Sequence, residues 1–300
     1  MKFFPAVFSR TILILLLILT ILAQGFSKEK EKLNQKWLKK DEAALSEAIS
    51  FIEAGDFSDQ TLRAFGKCSV ESRALGFGLE RCERYISAGY LGVHLTYIAD
   101  KNAPIKAVFT VSEDNFQRIQ AELKKSVRSA FLKHFKLVQN FGWYSKTYEA
   151  RFEFPENYTK YAQKKEKIVG KSEPLSLSEE AQKCFDYLFS AETDGCYGFI
   201  GGYEAAVPFE RTLMEKLLEL KSEAVFLSLL KADNPEARIY AAEGLLTLND
   251  SAENVDAINR AFAPHIADGI EYNTIDGCFM SSALFKPLKH GEKPKFLCDF

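Results

Sequence analysis

Apolar and polar residues alternate in three segments of the first half of the chain. The three segments are residues 91–97, 105–111 and 147–154. A period of two is typical of a strand with one buried face. Residues 100–104 have the composition of a turn, because they combine Asp100, Asn102 and Pro104. The pattern therefore predicts an antiparallel hairpin followed by a further strand.

Helical spacing occurs on both sides of these segments. Apolar residues recur at three- and four-residue steps through residues 38–52, and a second stripe begins near Ser112 and continues to Phe135. Both stripes predict amphipathic helices, the second of them long. A helix laid across an antiparallel sheet buries both apolar faces, so we expect residues 26–160 to form an α+β domain.

A lysine-rich stretch follows, and the periodicity then becomes helical. Residues 161–177 contain Lys164, Lys165, Lys167 and Lys171, with Gly170 and Pro174 as breaks. This composition predicts an exposed linker. Residues 178–300 are expected to form a helical domain with an irregular tail.

Residues 223–249 predict two apolar helices separated by a short turn. A Leu229–Leu230 pair ends the first helix, and Leu245, Leu246 and Leu248 close the second. Between them stand the residues of a recognisable pattern: Asp233, Pro235, Arg238, Ala241 and Ala242. This segment resembles a HEAT-type helical repeat. The resemblance covers 27 of the 300 residues and implies helix stacking and a protein-binding surface, with no catalysis.

Asp233 and Arg238 are expected to have structural roles. An Asp near a helix start can accept backbone N–H groups, and an Arg one turn later can donate to loop carbonyls or pair with the Asp. The expected fold class is therefore α+β. An antiparallel sheet with a packed helix forms the N-terminal half, and an all-α, HEAT-like helical C-terminal half follows.

The first 25 residues have the pattern of a secretory signal peptide. Lys2 and Arg10 precede residues 11–23, a run of 13 uncharged residues, and small residues stand at Ala23 and Gly25. A helix of that length spans about 20 Å, less than the ~30 Å hydrocarbon core. We expect an exported protein, periplasmic or extracellular, with no stable membrane span after cleavage. The alternative is that the segment is kept as an anchor.

Export makes disulfides the expected state of the cysteines. The six are Cys68, Cys82, Cys184, Cys196, Cys278 and Cys298. Their sequence-near couples predict Cys68–Cys82, Cys184–Cys196 and Cys278–Cys298. Two alternatives are open. Cys196 could instead pair with Cys278, since Asp-Gly-Cys precedes an aromatic residue at both places, or the cysteines could be buried free thiols.

Composition and charge exclude several classes of protein. With 47% hydrophobic and 27% charged residues, the chain is not disordered throughout. A formal charge of −2 argues against a general nucleic-acid binder.

The sequence carries no strong catalytic signal. It has no nucleophile elbow, phosphate loop, zinc-protease or dinucleotide motif, so no cofactor and no metal are expected and the catalytic residues are unknown. His94 is the best candidate among four dispersed histidines, because it should lie on the polar face of its strand. The glycine-rich residues 195–202 could line a pocket.

These observations support two hypotheses. The first is an exported, non-enzymatic protein-interaction or structural protein of the cell envelope or extracellular space, whose partner is a protein. The second is an exported hydrolase with an unrecognised active site. The sequence leaves the oligomeric state open.

Overall fold

The computed structural model describes residues 35–139, 146–193, 195–199, 206–276 and 279–290. The predicted signal peptide, residues 1–25, lies outside these ranges. The described helices are α1 (35–54), α2 (Asp59–Ala64), α3 (Glu113–Ile119), α4 (Lys125–His134), α5 (Pro155–Val169), α6 (Glu179–Phe189), α7 (Phe209–Leu218), α8 (Glu223–Leu229), α9 (Pro235–Leu248) and α10 (Ala252–Ala267). The described strands are β1 (Lys67–Gly76), β2 (Leu79–Ser87), β3 (Gly92–Asp100), β4 (Ala103–Ser112), β5 (Lys136–Gln139), β6 (Lys146–Glu153), β7 (Glu271–Asp276) and β8 (Phe279–Leu284).

Six strands form an antiparallel sheet in the order β1-β2-β3-β4-β6-β5. The predicted hairpin is β3–β4, in which Leu95 pairs with Phe109, and Phe109 pairs in turn with Ala150 of β6. The α+β fold class and the antiparallel sheet are confirmed. Leu95 and Phe109 are both fully buried, which explains why the alternation in this region was a reliable signal.

Helices α1, α3 and α4 cover one face of this sheet. Leu45 and Ile49 come from α1, while Phe116 of α3 and Phe131 of α4 stack at 4.3 Å between ring centroids. Fully burying a side chain of this size contributes about 1.5–3 kcal/mol. The stripe through residues 38–52 is therefore the inner face of α1, as predicted.

The long helix predicted from Ser112 to Phe135 is wrong, because two helices occupy that segment. Helix α3 ends at Ile119 and α4 begins at Lys125. Between them Leu123 turns into the core, with 5% exposure, and the Lys124 N–H donates to Glu42 Oε1 of α1 at 2.8 Å. This contact and the burial of Leu123 offset the loss of continuous helical hydrogen bonding.

The β1–β2 hairpin turns at Phe77 and Gly78, both of which have positive φ, 55° and 86°. Positive φ at both central residues matches the twist of a tight hairpin, and Gly78 adopts it without steric cost. Phe77 is 2% exposed because this turn inserts its ring against the helical half of the molecule.

In the second half, α9 lies at the centre of the helices. Its residues from Pro235 to Ala242 are all buried, and α7, α8 and α10 pack around it. The helical periodicity that begins at residue 178 corresponds to helices α6 to α10.

The prediction of an all-α C-terminal half is wrong. Strands β7 and β8 form a second, two-stranded antiparallel sheet, and Tyr197 bridges Thr274 of β7 in parallel. Tyr272 and Thr274 are the buried alternate positions of β7. The backbone N–H and C=O groups of β7 therefore find hydrogen-bond partners on both edges of the strand. A helix at this position would satisfy these groups internally and would not require such pairing.

The exposed loop predicted for residues 161–177 is also wrong in its first part. Residues 161–169 are the second half of α5, and Tyr161 is 1% exposed. The lysines of this segment occupy a helix of which one face packs inward. Residues 170–178 have no regular secondary structure, and the domain boundaries themselves stay a prediction.

Candidate functional site

The β1–β2 turn and α5 form the junction between the sheet and the helical half. The Phe77 ring lies 4.5 Å from the ring of His265 in α10, and Tyr161 of α5 is buried beside it. The same apolar cluster also contains Leu75, Leu79, Ile98, Ile105 and Ala191. Because side chains of both halves share one cluster, the junction fixes the halves against each other more firmly than a polar interface would.

Arg238 is fully buried at this junction and donates to three backbone carbonyls. The Nε–Ala232 O distance is 2.7 Å, Nη2–Asp233 O is 3.1 Å and Nη1–Leu75 O is 2.9 Å. Burial lowers the pKa of Arg238 to about 10, so the guanidinium is charged at neutral pH. Arg238 therefore fastens the turn before α9 to strand β1 of the sheet.

Asp233 does not cap α9, although the sequence suggested that role. The cap is Asn234, whose Oδ1 accepts the N–H groups of Glu236 at 2.9 Å and Ala237 at 3.3 Å. Asp233 Oδ1 instead accepts from the Tyr161 hydroxyl at 2.6 Å and from Lys165 Nζ at 2.5 Å. Burial lowers the pKa of Lys165, and Asp233 opposes that shift. Asp233 thus holds α5 to the turn before α9.

The remaining residues of the repeat-like pattern serve the packing of α9. Pro235 is its first residue, where a missing N–H leaves no helical bond unmade. Ala241 and Ala242 are fully buried. A Cβ on Gly244 would lie 2.4 Å from Cε1 of Phe226 in α8, so α8 packs directly on the backbone of α9 at this point.

A cavity of about 350 Å³ lies beside Asp233, between the sheet and the helical half. We refer to it as the junction cavity. Leu79, Ile98, Ile105 and Ala191 supply apolar lining, and Phe154, Tyr158, Tyr161 and Phe189 supply four aromatic rings. A concave, mostly apolar space with a few polar groups is the usual form of a small-molecule site.

The charged groups of the junction cavity are mostly acidic. Lys106, Glu153, Asp186, Glu192 and Asp233 line it. Lys106 forms ion pairs with Glu192 and, at 3.2 Å, with Glu153, and Glu192 also binds Arg151 at 2.7 Å.

Asp186 differs from the other acidic groups of the cavity. Its Oδ1 accepts from the Gln182 amide at 2.7 Å, and no ion pair to Asp186 occurs within the described ranges. Asp186 is exposed. The junction cavity therefore has one carboxylate without a cationic partner of its own at the solvent side.

Two of the predicted disulfides do not form in the described part of the chain. Cys82 and Cys184 are buried free thiols, and burial raises the pKa of each. Cys68 pairs along the β1–β2 ladder with Arg84, so the register does not place it opposite Cys82. Cys184 lies on the buried face of α6 as a free thiol, so its predicted pairing with Cys196 does not form. Cys278 and Cys298 lie outside the described residues, so both Cys278–Cys298 and Cys196–Cys278 stay predictions.

The histidines do not converge on the junction cavity. His94 is exposed on β3 beside Tyr85, His134 contacts Glu53 at 3.0 Å, and His265 is buried against Phe77. In the part of the chain that the structure describes, no histidine or cysteine lines the cavity.

The described part of the glycine-rich turn, residues 195–199, packs away from the cavity. Gly198 N–H donates to the Tyr240 hydroxyl at 3.2 Å, and Arg211 Nε donates to Gly198 O at 3.0 Å. A Cβ on Gly198 would lie 2.2 Å from Ile275 O. Glycine is therefore required at residue 198 by the close approach of β7.

Strand β8 presents a second feature of interest, an exposed apolar surface. Phe279 is 75% exposed, Met280 69% and Leu284 50%. No residue of β8 is charged. Met280 and Leu284 lie on one face of the strand and Phe279 on the other. Apolar side chains at this level of exposure are typical of an interaction surface.

No sequence pattern marked Tyr158, Asp186 and Glu192 as cavity residues. They come from α5, α6 and the turn after α6. The only sequence signal for them was an aromatic residue or carboxylate on an amphipathic helix, which is common on any helix surface.

Within the described ranges, no three His, Cys, Asp or Glu side chains are grouped as a metal site. None of the described helices is long and apolar enough to cross a membrane. In comparisons with known proteins, no family model, no curated protein and no solved structure matches this chain.

Proposed function

We propose that the protein is an exported, non-enzymatic binding protein that holds a small ligand in the junction cavity. The observation that carries this proposal is the cavity itself, about 350 Å³ of mostly apolar space between the sheet and the helical half. Its residues come from β2, β3, β4, β6, α5 and α6 and from the turns after α6 and before α9. Preformed sites of this kind bind ligands with little loss of conformational entropy.

Binding is favoured over hydrolysis by the state of the charged groups. Lys106, Glu192 and Asp233 are engaged in ion pairs with each other or with neighbours. Of the described residues, the lining includes Ser190 but no histidine or cysteine that would activate a nucleophile or act as one. Export itself rests on the pattern of residues 1–25, and fractionation that found the full-length chain among the soluble proteins inside the cell would contradict it.

The proposed function is tested with a neutral fluorescent probe, N-phenyl-1-naphthylamine, whose emission rises in apolar cavities. We expect wild-type protein to enhance its emission and Ala191→Leu, which fills the lining, to lose most of that enhancement. Ala54→Leu, on an exposed position of α1, is the matched control. Equal enhancement by wild type and Ala191→Leu would place the probe elsewhere and refute the proposal, provided that both variants unfold at similar temperatures.

Protein binding is a second candidate function, and the exposed apolar residues of β8 favour it. The partner that fits is an uncharged, apolar segment, because β8 offers Phe279, Met280 and Leu284 without a charge. The test compares wild type with Phe279→Ser/Met280→Ser as bait in envelope fractions. A partner retained by wild type and lost by the variant supports the proposal, whereas identical recovery contradicts it.

The HEAT-type assignment of residues 223–249 also stays a proposal. Its support is the close packing of α8 on α9 around Ala241, Ala242 and Gly244. Because Pro235 to Ala242 are buried on all sides, a binding surface on this unit would be formed by α8 and its neighbours rather than by that part of α9.

A further inference from the structure

We infer that the ligand of the junction cavity is a small organic cation, a primary amine or ammonium group attached to an apolar body. This inference rests on the proposed function and adds the chemical class of the ligand. Three observations on the lining carry it: the charge balance, the aromatic rings and the position of Asp186.

The charge balance favours a positive ligand. Four carboxylates and one ammonium group line the cavity. Arg151 and Lys165 lie just behind the lining and pair with Glu192 and Asp233. The charged guanidinium of Arg238 also lies beside Asp233 and donates to its backbone O at 3.1 Å. Four cations thus stand against the four lining carboxylates and Glu149, which also binds Arg151, and one negative charge is in excess. A bound cation would neutralise the excess.

Asp186 is the lining carboxylate that is left to pair with a bound ligand. Glu192, Glu153 and Asp233 each contact a lysine of the chain. Among the described residues, only the amide of Gln182 donates to the Asp186 carboxylate. An ammonium group that enters from the solvent side would therefore meet a carboxylate whose Coulomb attraction is not already used.

The aromatic rings of the lining suit a cation as well as an apolar body. Lys165 Nζ lies 4.7 Å from the ring centroid of Phe189 and 5.5 Å from that of Tyr161. The ammonium group of Lys165 thus already packs against two of the aromatic rings that line the cavity. Tyr158 is 50% exposed on the same helix as Tyr161 and offers a further π-face near the opening.

An anionic ligand fits this lining poorly. The single cation of the lining, Lys106, already contacts two carboxylates. An anion would have to displace one of them and would meet Asp186 without compensation. A neutral ligand would leave Asp186 as it is in the free protein and would gain nothing from it.

Three probes of shared shape test the inference: phenethylamine, phenethyl alcohol and phenylacetate, which are cationic, neutral and anionic at neutral pH. Titration calorimetry on the full chain gives the three dissociation constants. We expect the amine to bind about fivefold or more tightly than the alcohol, and phenylacetate to bind most weakly. Asp186→Asn should remove the preference for the amine and leave the affinity for the alcohol unchanged.

The controls separate this inference from the proposed function. Asp256→Asn removes an exposed carboxylate of α10 that does not line the cavity, and it should keep the preference for the amine. Equal affinities for amine and alcohol, or a preference that survives in Asp186→Asn, overturn the inference but leave the cavity as a binding site. If none of the three probes and no N-phenyl-1-naphthylamine binds, the inference and the proposed function fail together.

Discussion

His265 is an ionisable side chain that the fold keeps neutral. It is 0% exposed, between the rings of Phe77 and Phe285. Arg238 Nη1 lies 3.4 Å from His265 Nδ1. Since a guanidinium only donates, Nδ1 must accept and the hydrogen resides on Nε2. Burial and the charge of Arg238 lower the pKa of His265 to about 2.

We expect this histidine to make the protein less stable in mild acid. The unfolded chain binds a proton below about pH 6.5, whereas folded His265 does not until near pH 2. The contribution of neutral His265 to the free energy of unfolding is thus fully present above pH 6.5 and is lost as the pH falls. Between pH 7 and pH 5 the free energy of unfolding should fall by about 2 kcal/mol on this account.

Urea denaturation at the two pH values measures this effect, and the comparison with His265→Gln isolates it. Burial raises the pKa of Glu236, which acts with the opposite sign, but equally in both proteins. His290→Gln is the control, because the His290 side chain is 60% exposed. Parallel pH dependences for wild type and His265→Gln would show that His265 is protonated in the folded state or does not contribute.

At the scale of elements, α8 and α9 depend on the absence of a side chain at Gly244. A Cβ there would come within 2.4 Å of Phe226, a contact that requires the helices to move apart. Alanine gains about 1 kcal/mol of helix propensity over glycine, but overpacking costs about 1–3 kcal/mol. We therefore expect Gly244→Ala to lower the free energy of unfolding in urea, although alanine has the higher helix propensity.

A second substitution shows whether Phe226 is the cause. Adding Phe226→Leu replaces the ring that the new methyl group meets by a smaller side chain. The double variant should therefore lose less free energy of unfolding than the sum of the two single variants. Simple additivity of the two losses would mean that the effect of Gly244→Ala arises elsewhere in α9.

The sequence pattern predicted those elements in which buried residues recur at one regular spacing. Strands β3, β4 and β6 were predicted because alternate residues of each pack on the helices, although Ile98 of β3 and Ile105 of β4 are also buried in the junction cluster. Strands β1 and β2 were missed, because in β2 charged residues interrupt the alternation: Glu80, Arg81, Glu83 and Arg84. These side chains belong to a strand whose two faces are both partly covered, and no simple pattern encodes that arrangement.

The candidate site was beyond sequence reasoning for a different reason. Asp233 and Arg238 were singled out near a helix start, but the partners that tie them to the junction lie far away along the chain. Arg238 binds Leu75, 163 residues earlier, and Asp233 binds Tyr161, 72 residues earlier. Local spacing gives no information about contacts at such separations, and the junction cavity brings together residues as far apart as Leu79 and Asp233.

At the scale of the whole molecule, buried polar contacts couple the sheet to the helical half. Glu236 of α9 is fully buried and forms an ion pair with Arg73 of β1. Its Oε1 also accepts the N–H of Asn273 in β7 at 2.5 Å. One carboxylate thus joins the six-stranded sheet, the central helix and the C-terminal hairpin, alongside the bond from Arg238 to Leu75.

This coupling predicts that the halves unfold together. Both tryptophans, Trp37 and Trp143, precede residue 160, so their fluorescence reports on the first half, whereas far-UV circular dichroism also reports on α6 to α10. The two urea transitions should coincide in wild type. Arg73→Leu leaves Glu236 buried without its cation and should shift both transitions together, with a loss of about 3 kcal/mol.

The double variant Arg73→Leu/Glu236→Leu should recover most of that loss, because it removes the buried charge along with its partner. Recovery would show that the cost of Arg73→Leu comes from the uncompensated carboxylate and not from a missing side chain in β1. If instead fluorescence in Arg73→Leu moved to lower urea while the later part of the circular dichroism transition stayed in place, the halves would unfold independently. The junction would then be a contact between two self-sufficient domains, and a ligand in its cavity would stabilise their association rather than either fold.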